Sequence, residues 1–186
     1  MQVGVNTLHN IGHVLLGSLL ESNGFKLNAV KQVPEPLPFM PKLLANGTVP
    51  AAWLPEPFGT EAQQQYGAVK LADFNQGSLQ SFPIGTIVGN VTWIQAHPNT
   101  VAAFLRAFNE GQQVADTNQA AVQQALKKNL QLSPLVASTV TLDTYPLVMD
   151  VPVMQRVADA MYQFGVISKP YNLINMIQPE PGEIKS

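Results

Sequence analysis

The chain has 186 residues, 46% of them apolar and 12% charged, with ten Lys and Arg against twelve Asp and Glu. That length is enough to bury a sizeable core in one large domain or two small lobes, and the composition excludes a disordered protein. The net charge of -2 is spread without a basic stripe, so nucleic acid is not an expected partner.

The absence of cysteine removes disulfides, thiolate-held zinc, iron–sulfur clusters and thiol nucleophiles together. No apolar run approaches the ~20 residues of a membrane span. Met1–Val5 has neither the basic nor the apolar region of a signal peptide, so the chain as written carries no address.

In chain order, Gln2–Val5 reads as a short strand that breaks at Asn6-Thr7. Ile11, Val14, Leu15, Ser18 and Leu19 then follow helical spacing, with Gly24 placed to end the helix in a left-handed conformation. Leu27–Val33 reads as a second strand, Phe39–Ala45 as a short helix ended by Asn46-Gly47, and Val49–Leu54 as a third strand. Gly59–Tyr66 reads as a helix, Val69–Ala72 as a fourth strand and Ile84–Val91 as a fifth. Strands alternating with helices predict an α/β architecture with mainly parallel pairing.

Beyond that point the pattern is helical. Pro98 opens an amphipathic helix with Val101, Phe104, Leu105 and Phe108 at i, i+3, i+4 and i+7. Ala120–Leu126 and Leu135–Val140 read as shorter helices, and Val153, Val157, Met161 and Phe164 mark another that ends at Gly165. The polar tail 178–186 reads as loose. The composition shifts near Ser81–Pro83, which divides the chain into 1–82 and 83–186.

Four segments in fixed order carry a family likeness: Gly4-Val5-Asn6-Thr7-Leu8 with Asn10, Leu44-Ala45-Asn46-Gly47-Thr48-Val49, Ala51-Ala52-Trp53-Leu54-Pro55-Glu56-Pro57-Phe58, and His97-Pro98-Asn99-Thr100-Val101 running into Phe104-Leu105. Together they resemble the substrate-binding proteins of the nitrate/sulfonate/taurine type and their pyrimidine-precursor relatives. The resemblance implies a type II periplasmic-binding-protein-like α/β fold. Residues 1–82 would form one complete, parallel-rich lobe, and 83–186 the return strand and C-terminal helices of the other. It also implies that the segment before Met1 in such proteins, the first portion of lobe one, is not in this sequence. Where the family often has an acidic residue before the Ala-Ala-Trp run, this chain has Pro50, a residue tolerated at the start of a strand.

In open α/β sheets ligands bind beyond the carboxyl ends of the strands. Asn6, Thr7, Leu8, His9 and Asn10 occupy such a turn. Backbone N–H groups at a helix start, with the Thr7 hydroxyl and the two Asn amides, suit a sulfonate, nitrate, carboxylate or phosphate. The same turn is also explained by Asn6 or Thr7 capping the helix. Glu56 between two prolines is a candidate ligand contact for an amine or hydroxyl, or equally a structural hinge carboxylate. Trp53 is a candidate ligand contact whose place on a strand also fits the core. His9 and His13 lie one turn apart on one face, but no third ligand converges in the sequence, so no metal is expected. Asn46-Gly47-Thr48 and Asn90-Val91-Thr92 match the glycosylation sequon and read more simply as a turn and a strand edge.

These readings lead to an extracytoplasmic solute-binding component of an ABC importer, periplasmic or lipoprotein-anchored in the full-length parent. It would be a non-enzyme without cofactor, partnered by a small solute and a transporter permease. The enzymatic relatives, a pyrimidine-precursor synthase and a sulfinate desulfinase, rely on cysteine, which this chain lacks. A fragment without binding function is the third reading, and with it comes expected self-association through the apolar faces around Phe104 and Met161.

Overall fold

A computed structural model describes residues 1–76 and 79–177. The structure is mixed α/β, 53% helical, with a small parallel sheet. Strand β1 (Gln2–Val5) lies at its centre. On one side it pairs in parallel with β2 (Lys31–Pro34), Gln2 opposite Lys31 and Val5 opposite Pro34. On its other side the Val49–Leu54 run makes a single parallel bridge, Gly4 opposite Ala52. The Gly4 N–H donates to the Ala51 carbonyl at 2.8 Å and the Trp53 N–H to the Gly4 carbonyl at 2.8 Å. Pro50, with no N–H to give, sits just before this bridge and does not prevent it.

Both faces of β1 are covered. Val3 and Val5 point into a cluster with Leu15, Leu16, Trp53 and Leu79. Gly4 faces the opposite way, as strand alternation requires. A Cβ there would come within 2.6 Å of the Met40 sulfur, so only glycine lets Met40 lie against the strand. Val5 and Met40 are fully buried, each worth about 1.5–3 kcal/mol in apolar surface removed from water.

Helix α1 (Ile11–Ser22) follows β1 and is buried without a break from Gly12 to Gly17. Two aromatic rings press on its glycines: Trp53 on Gly12 and Phe164 on Gly17. Asn23 caps its end and Gly24 takes φ +79°, as the sequence predicts. Helix α2 (Met40–Ala45) ends at Gly47 with φ +74°, and α3 (Phe58–Tyr66) at Gly67 with φ +69°.

In the second half, α4 (Val91–Ala96), α5 (Pro98–Thr117), α6 (Gln119–Leu130), α7 (Pro134–Thr139) and α8 (Val151–Gln163) follow in order. Asn90, Asn118, Ser133 and Asp150 cap α4, α6, α7 and α8 with side-chain oxygens. Several contacts tie this half to the first: α7 lies on α3, α8 lies on α1, and Arg156 of α8 donates to the Gln80 carbonyl at 3.1 Å and lies over the Phe82 ring. Gln163 donates to Glu21 at 2.6 Å across the α1–α8 contact.

Four strand expectations change. Val49–Leu54 makes only the isolated bridge at Ala52 and is not a strand. Leu27–Val33 divides into a 3-10 turn at Leu27–Ala29 and β2. Val69–Ala72 is extended chain without a ladder, with Val69 79% and Leu71 81% exposed. The Ile84–Val91 run is likewise irregular and exposed up to Asn90, where α4 begins. A strand needs a neighbour for its N–H and C=O groups, and neither segment has one among the described residues. The loose tail 178–186 lies outside them.

Candidate functional site

The parallel register sends three segments off one edge of the sheet. Asn6–Asn10 leaves β1, Glu35 leaves β2, and Leu54–Phe58 leaves the bridge at Ala52. The Glu35 N–H donates to the Val5 carbonyl at 2.7 Å, holding the second segment against the first. This is the carboxyl edge, where open α/β sheets receive ligands.

Asn10 is the N-cap of α1. Its Oδ1 accepts from the Gly12 and His13 N–H groups at 3.1 and 3.4 Å, and its Nδ2 donates to Asn6 Oδ1 at 2.5 Å. The capping reading of the turn therefore holds for Asn10 rather than for Asn6 or Thr7. It also uses two of the helix's unpaired donors. Thr7, Leu8 and His9 are exposed, and the Thr7 hydroxyl and His9 ring make no hydrogen bond among the described residues. His9 takes φ +56°, the left-handed region that non-glycine residues seldom occupy. That kink turns the chain from the sheet edge into α1.

The His9 and His13 rings lie 5.0 Å apart, tilted by 36°. His13 is buried and occupied on both sides: Nε2 lies 3.3 Å from the Phe164 carbonyl and Nδ1 3.1 Å from Gln32 Nε2. A carbonyl only accepts, so Nε2 donates to Phe164, and Nδ1 pairs with the Gln32 side-chain amide, accepting from its Nε2 when the ring is neutral. His13 thus pins α1 between β2 and the end of α8. No group of three His, Asp or Glu able to hold a metal occurs among the described residues.

Trp53 is 7% exposed and belongs to the core beneath the turn. Its indole covers Gly12, two residues after the cap. Glu56 is exposed, follows Pro55, and precedes Pro57 through a cis peptide bond. Its Oε2 accepts from the Thr60 N–H at 3.0 Å, tying the carboxylate to the first turn of α3, while Oε1 lies near Gly59 and makes no hydrogen bond among the described residues.

Beside the turn lies a cavity of about 240 Å³. His9 and Asn10 edge it, with Ile11 and Val14 of α1 on one wall and Met154, Val157 and Met161 of α8 on another. Pro83–Thr86 closes a third side. The α8 wall has no signature in the sequence near the turn. The periodicity of Val153, Val157 and Met161 marks a helix face without saying what it meets.

Three groups away from the turn have shifted acidities. Asp73 is held below the usual carboxylate range by the Asn75 backbone N–H and, secondarily, by Lys70, 3.2 Å away. Desolvation raises the Asp143 carboxyl, and desolvation with the nearby Asp143 charge raises the Tyr145 phenol. The remaining sequon residues are structural. Asn46 Oδ1 accepts from Thr48 in a turn, and Asn90 caps α4 instead of edging a strand.

The family model of the NMT1-like family matches residues 1–129. The chain belongs to the NMT1-like family. This family falls within the nitrate/sulfonate/taurine-binding periplasmic group, made up mostly of substrate-binding proteins that are not enzymes and work with ABC-type transporters. The match spans the sheet, α1, the carboxyl-edge turn and the helices up to α6. No curated protein and no solved structure matches the chain. No helix among the described residues is long and apolar enough to cross a membrane.

Proposed function

We propose that this NMT1-like chain is the extracytoplasmic solute-binding component of an ABC importer. It takes a small anionic or polar solute of the sulfonate, nitrate, taurine or pyrimidine-precursor class at the Asn6–Asn10 turn and delivers it to the permease. The observation that carries the reading is the convergence of Asn6–Asn10 and Leu54–Phe58 at one carboxyl edge of the parallel sheet. The Thr7 hydroxyl and His9 ring supply hydrogen bonds that the fold does not use. Asn6 and Asn10, locked to each other and to the start of α1, hold the turn in shape.

Trp53 and Glu56 belong to the same site in this reading. The indole backs the turn from the core, and Glu56 Oε1, which Thr60 does not use, can accept from a solute hydroxyl, amine or ring N–H where the solute has one. Against an anionic group that carboxylate is repulsive, so the solute keeps its anionic head on the Thr7 and His9 side and turns an uncharged or donor group toward Glu56. Residues 1–82, as one lobe, and 83–186, as the return strand and C-terminal helices of the other, would close on it by a hinge motion read by the transporter. Thermal unfolding of the chain with sulfonates, taurine, nitrate, pyrimidines and bicarbonate tests the proposal. A saturable rise in melting temperature with one of them supports it, and no rise with any counts against it.

The chain is further proposed to self-associate. Its exposed large apolar side chains include Ile84, Ile87 and Val88 before α4 and Leu147, Val148 and Met149 before α8, a surface that monomers seldom leave to water. Phe104 and Phe108, stacked 6.0 Å apart on α5 and 49% and 39% exposed, mark one apolar face that a second copy would cover.

A further inference from the structure

The cavity beside the turn separates two kinds of solute. Its walls are hydrocarbon and thioether: Ile11 and Val14 from α1, and Met154, Val157 and Met161 from α8. Its polar lining is His9 and Asn10, which join it to the Asn6–Asn10 turn, and Thr86 of the Pro83–Thr86 segment. At about 240 Å³ it falls below the roughly 300–1,000 Å³ of pockets that enclose a whole ligand. It therefore suits one end of a molecule whose other end lies on the turn.

We infer that the solute is an organic acid with an acceptor-rich head, sulfonate or carboxylate, and a compact apolar arm that fills the cavity between α1 and α8. This rests on the proposed binding at the turn and narrows it. Nitrate and bicarbonate have no arm to place there. Taurine would carry an ammonium group into an apolar enclosure, where losing its water is costly. An aryl ring or short alkyl chain gains by leaving water, about fourfold in affinity per buried methylene. The two methionines add polarisable, adaptable contacts, which favour an aromatic arm.

Titration calorimetry on the full chain with methanesulfonate, butanesulfonate, benzenesulfonate, taurine and nitrate tests the inference. Butanesulfonate and benzenesulfonate are expected to bind more than about tenfold tighter than methanesulfonate. Val157→Phe, which fills the cavity, is expected to abolish most of that advantage. Met161→Gln, which makes the wall polar, serves where circular dichroism shows that the first variant does not fold. Equal affinity for probes with and without an arm, or an advantage that survives the filled cavity, overturns the inference while leaving binding at the turn standing. Failure of every probe to bind removes the proposed function, and the inference with it.

Discussion

The indole of Trp53 lies flat against Gly12: a Cβ at position 12 would stand 2.7 Å from its Cε3 and 3.0 Å from its Cδ2. The contact joins the segment after the Ala52 bridge to the first turn of α1, next to the Asn10 cap. A buried ring cannot yield as a flexible side chain would. Gly12→Ala should therefore destabilise the chain by about 1–2 kcal/mol, the overpacking cost exceeding the better helix propensity of alanine. Gly111→Ala in α5 adds its methyl to open space and should stabilise by about 0.5–1 kcal/mol. Urea unfolding followed by tryptophan fluorescence compares the two, and equal effects would contradict the packing described.

Removing the cap gives a second expectation. Asn10→Ala deletes the bonds to Gly12, His13 and Asn6 at once. It should cost about 1–2 kcal/mol, and Asn10→Asp, which keeps the cap oxygens, should cost less. Hydrogen exchange should show the loss concentrated in the first turn of α1. Uniform loss across α5 and α6 would not fit.

Much of this was legible from residue order. Caps and helix ends carry local chemistry, so Gly24, Gly67 and Gly165 all adopt positive φ where a helix stops, and Pro98 opens α5. Strands were harder to read, because β patterning describes a fit to neighbours rather than a local preference. Val69–Ala72 and Ile84–Val91 have the right residues and no ladder. The apolar run before Asn90 also hid α4, although Asn90 with Trp93 three residues on is a cap pattern. Around the candidate site, the break after β1 and the helix that follows it were legible. The His13 bond to the Phe164 carbonyl spans 151 positions, and the α8 wall of the cavity arises from the same long-range docking.

That docking has a measurable weight. His13→Ala leaves the Phe164 carbonyl and Gln32 amide without their partner and opens space at the α1–α8 contact. A loss of about 1–3 kcal/mol is expected, together with faster amide exchange at the end of α8. Unchanged exchange there would show that His13 does not hold α8 in place.

Asp143 sets a pH dependence of definite sign. Its carboxyl is raised above the ordinary 3.8 by desolvation, so the folded chain holds that proton more tightly than the unfolded one. The contribution favouring the fold is present below the unfolded value and is lost as pH rises through the folded one. Asp143→Asn should therefore stabilise the chain modestly at pH 7 and gain nothing at pH 3.5. A gain that grew on acidification would reverse the assignment.

Self-association makes a separate forecast. Light scattering of the purified chain should give a mass above 20.1 kDa. Phe104→Glu, which charges the exposed α5 face, should lower it toward that value. A strict monomer before substitution would show that the exposed apolar face does not draw a second copy.

The most direct test of solute binding at the carboxyl edge is amide chemical-shift mapping by nuclear magnetic resonance, titrating the same panel of sulfonates, taurine, nitrate, pyrimidines and bicarbonate. Saturable shifts are expected at Thr7, Leu8, His9 and Ile11, with smaller ones at Glu56 and Phe58. Shifts confined to α5 and α6, or none that saturate with any member of the panel, would contradict a binding site at the Asn6–Asn10 turn.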